Sequence, residues 1–265
     1  MDWKLLRKGD GGTPLVLLHG FMGVAEDWLP FLQHLPHPGE IWAITLPGHC
    51  DEPVVGPPGF PDLAEQIVQH LHGQRFLLAG YSLGGRIALH AAALPQVAGL
   101  CLLSSSPGLQ NEQARQSRAQ RDAALAQSLT SARTPEAFRA FLRRWWSQPL
   151  FLRVSSEPSR LDALVETRMC HDPARLAQIL RAWSPGLQPS TWGILPRISC
   201  PVLLLYGEAD TRYAELAGEM EKLLPRAKAV SISGSDHALL SMAPEACARA
   251  WANFFTTTSD RFPES

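Results

Sequence analysis

Little of this 265-residue chain is charged, and almost no charge is left over. Lys and Arg number 24, Asp and Glu 25, for a formal net charge of −1. No overall field draws the protein to nucleic acid or to an anionic membrane, so neither is expected as a partner. No apolar run reaches the ~20 residues that a bilayer span requires, so no membrane insertion is expected. The first ten residues, MDWKLLRKGD, lack the apolar core of a signal peptide. Cysteine is scarce: five residues, at positions 50, 101, 170, 200 and 247, with no CxxC pair. An odd, scattered set reads as reduced thiols in a cytoplasmic protein. The sequence has no HExxH and no Cys/His cluster, so no metal and no cofactor are expected. Disorder is excluded as well, because 45% of residues are hydrophobic and only 18% charged.

The charge is unevenly spread. From Gly108 to Ser190 there are 12 Arg, no Lys and 7 acidic residues, a local excess of five positive charges. The rest of the chain is acidic by six. Many of these arginines can be solvated helix faces.

Short apolar runs bounded by turn residues recur at Pro14–Leu18, Ile41–Leu46, Phe76–Ala79, Leu100–Ser104, Pro201–Tyr206 and Ala229–Ile232. Runs without alternation predict strands buried on both faces, as in a parallel sheet. Helical patterns lie between them: Asp62–His72, Leu83–Leu94, Tyr213–Leu224 and Pro244–Phe255. Alternating strands and helices predict an α/β fold with a mainly parallel sheet. Between about Asn111 and Arg181 no strand pattern occurs, only helical patterning cut by Pro135, Pro149, Pro158 and Pro173. That stretch predicts a helical insertion between two strands of one sheet. No repeat or linker divides residues 1–265 into separate domains.

The sharpest motif is Gly80-Tyr81-Ser82-Leu83-Gly84, between the apolar run RFLLA and the Ala-rich helical run. A serine on a tight strand-to-helix turn is a candidate nucleophile, exposed above the sheet at the positive end of a helix. Such a serine needs an acid and then a histidine downstream. Asp210 directly follows the run PVLLLY, at the strand edge where α/β folds place their sites. His237 follows the last predicted strand. His237 is the candidate general base, and Asp210 the acid that would orient it. Glu208 and Asp236 compete with Asp210, though Asp236 adjoins His237 and adjacent side chains rarely meet well. Two backbone N–H groups, of Phe21 and Leu83, are the candidate oxyanion donors. His19 reads as a structural histidine of the Phe21 loop. Arg86 lies one turn after Ser82, where a cation opposes the helix dipole. It is expected to point into the site and bind an anion.

The motifs LHGFMG, LPGH, GYSLGG, YGEAD and SDH, in this order with a helical cap, resemble the α/β-hydrolase superfamily over nearly the whole chain. GYSLGGR, the run Ser117–Asp122, the WxxQPxF pattern from Trp145 and the run Val165–Arg168 further resemble the 2-succinyl-6-hydroxy-2,4-cyclohexadiene-1-carboxylate synthases of menaquinone biosynthesis. Three departures stand out: Thr45 replaces the usual Asp and Cys50 the usual Gly around LPGH, and Asp236 replaces the usual Gly before the histidine. The resemblance implies an α/β-hydrolase fold, a mainly parallel sheet flanked by helices, with residues 108–190 as the cap. It implies a lyase that releases pyruvate from a small polyanionic carboxylate, without cofactor. Ser82, Asp210 and His237 would be catalytic. Arg86, Arg118 and Arg168 would bind the substrate's three carboxylates, and Tyr81 and Trp145 would line the pocket. A monomer or weak homo-oligomer is expected. Two alternatives stay open: a serine hydrolase of an ester, thioester or carbon–carbon bond, and a ligand receptor on the same fold.

Overall fold

The structure is a computed structural model. It describes residues 2–261 apart from 10, 51 and 55, with side chains through residue 255. Seven strands form one sheet: β1 (Asp2–Arg7), β2 (Leu15–Leu18), β3 (Ile41–Thr45), β4 (Phe76–Tyr81), β5 (Val97–Leu103), β6 (Val202–Gly207) and β7 (Ala227–Ile232). Their order is β1-β3-β2-β4-β5-β6-β7. Every neighbouring pair is parallel except β1 with β3. This is the expected α/β fold with one added strand. β1 lies at the sheet's edge and is only partly buried, so it carries no continuous apolar run by which to read it.

The inner strands show why their sequences do not alternate. Val16, Leu18, Leu100, Leu102, Val202 and Leu204 pack on one face. Leu15, Leu17, Cys101, Leu103, Leu203 and Leu205 pack on the other. Successive side chains leave on opposite sides, and both sides are dry. Helices α1 (Phe60–His70) and α2 (Leu83–Ala91) flank the first face.

Between β5 and β6 lie α3 (Glu112–Ser131), α4 (Pro135–Trp146), α5 (Pro158–Arg168) and α6 (Pro173–Ala182). The prolines that interrupt the helical pattern start helices: Pro135, Pro158 and Pro173 each sit in a first turn, where no backbone N–H is required. Asn111, Thr134 and Asp172 cap α3, α4 and α6 with side-chain acceptors. The insertion builds its own core around Phe138, Leu142, Trp146 and Leu176, and that core also takes in Met22 and Ala238 from the sheet domain. After β6 come α7 (Thr211–Leu223) and α8 (Pro244–Arg261). Among the described residues, no helix is long and apolar enough to cross a membrane.

The cysteines correct the sequence reading. Cys50, in the loop after β3, and Cys170, after α5, form a disulfide across a sequence separation of 120 residues. Spacing alone could not pair them, because the insertion folds back over the β3 loop. Cys101, Cys200 and Cys247 are buried free thiols. Burial pushes Cys200 up to about 11 and Cys247 up to about 12, so neither is a ready nucleophile. Denatured protein should therefore titrate three thiols without reductant and five with it. Closing so long a loop should add roughly 2–4 kcal/mol of stability, seen as a fall in Tm on reduction. Five thiols without reductant, or an unchanged Tm, would refute the cross-link.

Candidate active site

β4 ends directly beneath α2, and Ser82 is the hinge between them. Its backbone lies at φ 50° and ψ −104°, in a region that ordinary residues avoid. Flanking contacts leave no alternative. A Cβ on Gly80 would strike the backbone of Gly84 and Gly85, and one on Gly84 would strike the backbone of Leu18. The Ser82 N–H donates to the Leu103 carbonyl at 2.9 Å. The Ser82 carbonyl accepts from the Arg86 N–H and the Ser105 hydroxyl.

The structure brings Ser82, Asp210 and His237 together. His237 Nδ1 lies 2.9 Å from Asp210 Oδ2, and Nε2 lies 3.0 Å from Ser82 Oγ. An ionised carboxylate only accepts, so Nδ1 carries the proton. Nε2 is then free to accept from the serine hydroxyl. Asp210 and His237 are both nearly dry, which strengthens the contact between them. Both rival acids are engaged elsewhere. Asp236 accepts from the backbone N–H groups of Ala238 and Arg153, both at 2.9 Å, tying the insertion to the histidine loop. Glu208 accepts from the Gly234 N–H and the Ser233 hydroxyl.

Phe21 and Leu83 both face the cavity in front of Ser82. Among the described residues, neither backbone N–H has an acceptor. His19 is fully buried and holds the Phe21 loop: Nδ1–H donates to the Gly20 carbonyl at 2.7 Å, and Nε2 accepts from the Leu46 N–H at 2.9 Å. Burial lowers it to about 3, so it is neutral.

The cavity measures about 330 Å³, within the size range of small-molecule sites. Tyr81 and Trp145 line it, as do Arg86, Arg118 and Arg168. Tyr81 packs its ring against Gly20, and Trp145 meets Phe21 edge-on at 5.3 Å. The three arginines are not equivalent. Arg118 already forks onto Asp122, with Nε 2.9 Å from both carboxylate oxygens. Arg168 pairs with Asp27 at 2.8 Å. Arg86 has no carboxylate partner among the described residues. It donates to the Trp183 carbonyl at 2.9 Å and lies over the Phe60 ring. It is only 9% exposed, and burial lowers it to about 10. Of these three, Arg86 is the one whose charge no carboxylate offsets among the described residues.

Sequence reading missed several lining residues. Asp27 and Asp122 are two: Asp27 sits in no motif, and Asp122 ends the run Ser117–Asp122 without having been given a role. Arg121, on α3, and Arg212, beside Asp210 in the chain, add two more cations. Tyr213 sets its ring 4.5 Å from that of His237. Its place three residues after Asp210, on the helix that Asp210 caps, was the only signal for it.

His171 was also missed. Nδ1 accepts from the Cys50 N–H and Nε2 lies beside the Met22 carbonyl, both at 2.8 Å. With Cys50 and Cys170 it forms the one Cys/His group among the described residues with metal-like spacing. That corrects the expectation that no such cluster forms. It does not suit a metal ion: both sulfurs are in the disulfide and both ring nitrogens are hydrogen-bonded.

Comparison with known proteins agrees with this architecture. The chain is 34% identical over 218 residues to the 2-succinyl-6-hydroxy-2,4-cyclohexadiene-1-carboxylate synthase of Salmonella typhimurium, covering 80% of this chain and 84% of that protein. The Serratia proteamaculans protein of the same name is 32% identical over 234 residues, covering 84% and 89%. The solved structure of MenH from S. aureus superimposes with a TM-score of 0.87 at 26% identity, covering 96% of this chain and 98% of that one. A thermophilic esterase from Thermogutta terrifontis shares the fold, with a TM-score of 0.79 at 21% identity. The model of the alpha/beta hydrolase family matches residues 15–250, almost the whole span from β2 into α8, and the chain belongs to that family.

Proposed function

We propose that this protein is a carbon–oxygen lyase of menaquinone biosynthesis. It would eliminate pyruvate from 2-succinyl-5-enolpyruvyl-6-hydroxy-3-cyclohexene-1-carboxylate to give 2-succinyl-6-hydroxy-2,4-cyclohexadiene-1-carboxylate. The observation that carries this reading is the charge of the cavity. Five arginines against two aspartates leave three positive charges in excess, and the substrate bears three carboxylates. The names of the relatives point the same way.

In this reading His237 takes the Ser82 proton, and the Ser82 oxygen removes the proton from the ring carbon beside the succinyl ketone. The electron pair of that C–H bond moves onto the ketone oxygen. The N–H groups of Phe21 and Leu83 hold the resulting negative charge. The pair then returns through the ring double bond and breaks the C–O bond to the enolpyruvyl group. Pyruvate leaves as its enolate and regains a proton. Every electron pair stays within the substrate, so no cofactor takes part. Residues 108–190 form the cap over the reaction, and Tyr81 and Trp145 wall the ring.

Arg86 is the discriminating residue. Arg86→Ala removes a charge-assisted contact of roughly 1.5–3 kcal/mol. At about 1.4 kcal/mol per decade, kcat/KM for pyruvate release should fall about ten- to hundredfold. Arg86→Lys should recover only part, because an ammonium cannot reproduce the planar fork. Arg143, exposed on the surface and paired among the described residues only with Asp162, is the control and should change nothing. Rapid ester hydrolysis with no pyruvate release, indifferent to Arg86→Ala, would refute the lyase reading and favour a serine hydrolase.

A further inference from the structure

We infer that His171 is a positioning residue for the turn that presents the Phe21 N–H, and that the Cys50–Cys170 cross-link holds it in place. The inference rests on the reading of Phe21 as an oxyanion donor.

The turn runs from Gly20 to Gly23, closed by the Gly23 N–H onto the Gly20 carbonyl at 2.9 Å. Phe21 and Met22 are its two central residues. Met22 stands at φ 60°, a conformation that the third position of such a turn normally reserves for glycine. A methionine stays there only if its surroundings over-determine it. Its side chain is fully buried in the core of the insertion, and its carbonyl is fixed by His171.

The protonation of that contact follows from its partners. The Cys50 N–H can only donate, so Nδ1 of His171 accepts. A neutral imidazole then carries its proton on Nε2 and donates to the Met22 carbonyl. Burial keeps the ring neutral, which fixes this tautomer. The loop is thus gripped from both sides. His19 holds the Gly20 carbonyl from the sheet domain, and His171 holds the Met22 carbonyl from the insertion. The Phe21 N–H lies between the two pinned carbonyls.

His171 reaches this place because the next residue back is Cys170, bonded to Cys50. Cys50 is itself at φ 45°, so its N–H is presented from a strained loop that the same histidine steadies. Disulfide and histidine therefore act on one element. They link the end of α5 to the β3 loop and, through Met22, to the oxyanion turn.

The test compares wild type, His171→Ala and His171→Gln. Amide hydrogen exchange over residues 20–23 reads the turn, and kcat and KM for pyruvate release are measured separately. Contacts to a developing oxyanion act mainly in the transition state, so their loss should appear in kcat. His171→Ala should lower kcat about ten- to hundredfold with KM within about twofold, and exchange at 20–23 should quicken. His171→Gln, whose amide can donate to the Met22 carbonyl, should recover much of both. If His171→Ala proves too unstable to study, His171→Gln against wild type decides alone, with near-wild-type kcat and protected exchange expected. Unchanged exchange in His171→Ala overturns the inference, as does a loss confined to KM or to Tm. Failure of the lyase reading looks different. Wild type would then release no pyruvate, while the exchange comparison would still decide for or against His171.

Discussion

Ser82→Ala and His237→Ala should each lower pyruvate release by roughly 10⁴- to 10⁶-fold while the protein stays folded. Either loss alone should approach the loss from both together, because the serine is basic only while Nε2 can take its proton at 3.0 Å. Asp210→Asn is the subtler variant. It keeps a side-chain oxygen to accept the Tyr213 N–H at the start of α7, so the helix cap survives. An amide can present N–H to Nδ1 and favour the wrong tautomer, and turnover should fall by about 10⁴-fold. All three variants should melt within a few degrees of wild type. Single-turnover pyruvate release and thermal melts measure both sides of the claim. Near-wild-type turnover in Ser82→Ala or His237→Ala would remove the proposed mechanism altogether.

Ser82 and Asp210 were legible because each follows a strand whose burial makes it readable, β4 and β6, and His237 because it follows the short apolar run that ends β7. β4, β6 and β7 place their C-terminal ends along one sheet edge, and the residue types there are few. Arg86 was legible because helical spacing from Ser82 fixes its place in α2. Arg118 and its partner Asp122 stand one helical turn apart on α3, a spacing that could have shown the pair, but the partner of Arg168 and the second contact of Asp122 had no such signal. Asp27 meets Arg168 across 141 residues, and Asp122 meets Ser184 across 62. No local pattern encodes such pairs. Asp122–Ser184 arises only when the insertion folds on itself, and Asp27–Arg168 only when the insertion closes over the sheet domain. The same closure joins Cys50 to Cys170 and brings His171 to Met22. β1 escaped notice for a different reason: an edge strand half in water needs no continuous apolar run. The sequence reading therefore recovered the sheet and the edge at which Ser82, Asp210 and His237 meet, and lost what lies between the two layers.

That seam also sets the response to acid. His19, His49 and His171 lie in a row, with ring centroids 4.7 Å and 5.7 Å apart along it. Each is lowered to about 3, chiefly by burial and further by neighbouring charge, including Arg168. Asp27 opposes this only at His19. An unfolded histidine binds its proton near pH 6.5. Below that pH the unfolded chain therefore holds protons that the folded one refuses. Stability from these rings is complete above about 6.5 and is lost as pH falls toward about 3. Each contributes a slope of about 1.4 kcal/mol per pH unit, so three together give roughly 4. Half-buried His90, lowered to about 4, acts in the same direction but is screened by solvent. Against a total stability of about 5–15 kcal/mol, the fold should be lost within roughly one to four units below pH 6.5. His49 gives the cleanest test, because its Nε2 is buried without a partner among the described residues. His49→Gln should remove about a third of the slope in urea-unfolding free energy between pH 6.5 and 5. It should also remove about one of the three protons taken up on unfolding, read by calorimetry in buffers of different ionisation enthalpy. A wild-type stability that stays flat from pH 7.5 to 5.5 would mean that the three rings do not remain neutral, and that Nε2 of His19 and Nδ1 of His171 do not accept from the Leu46 and Cys50 N–H groups.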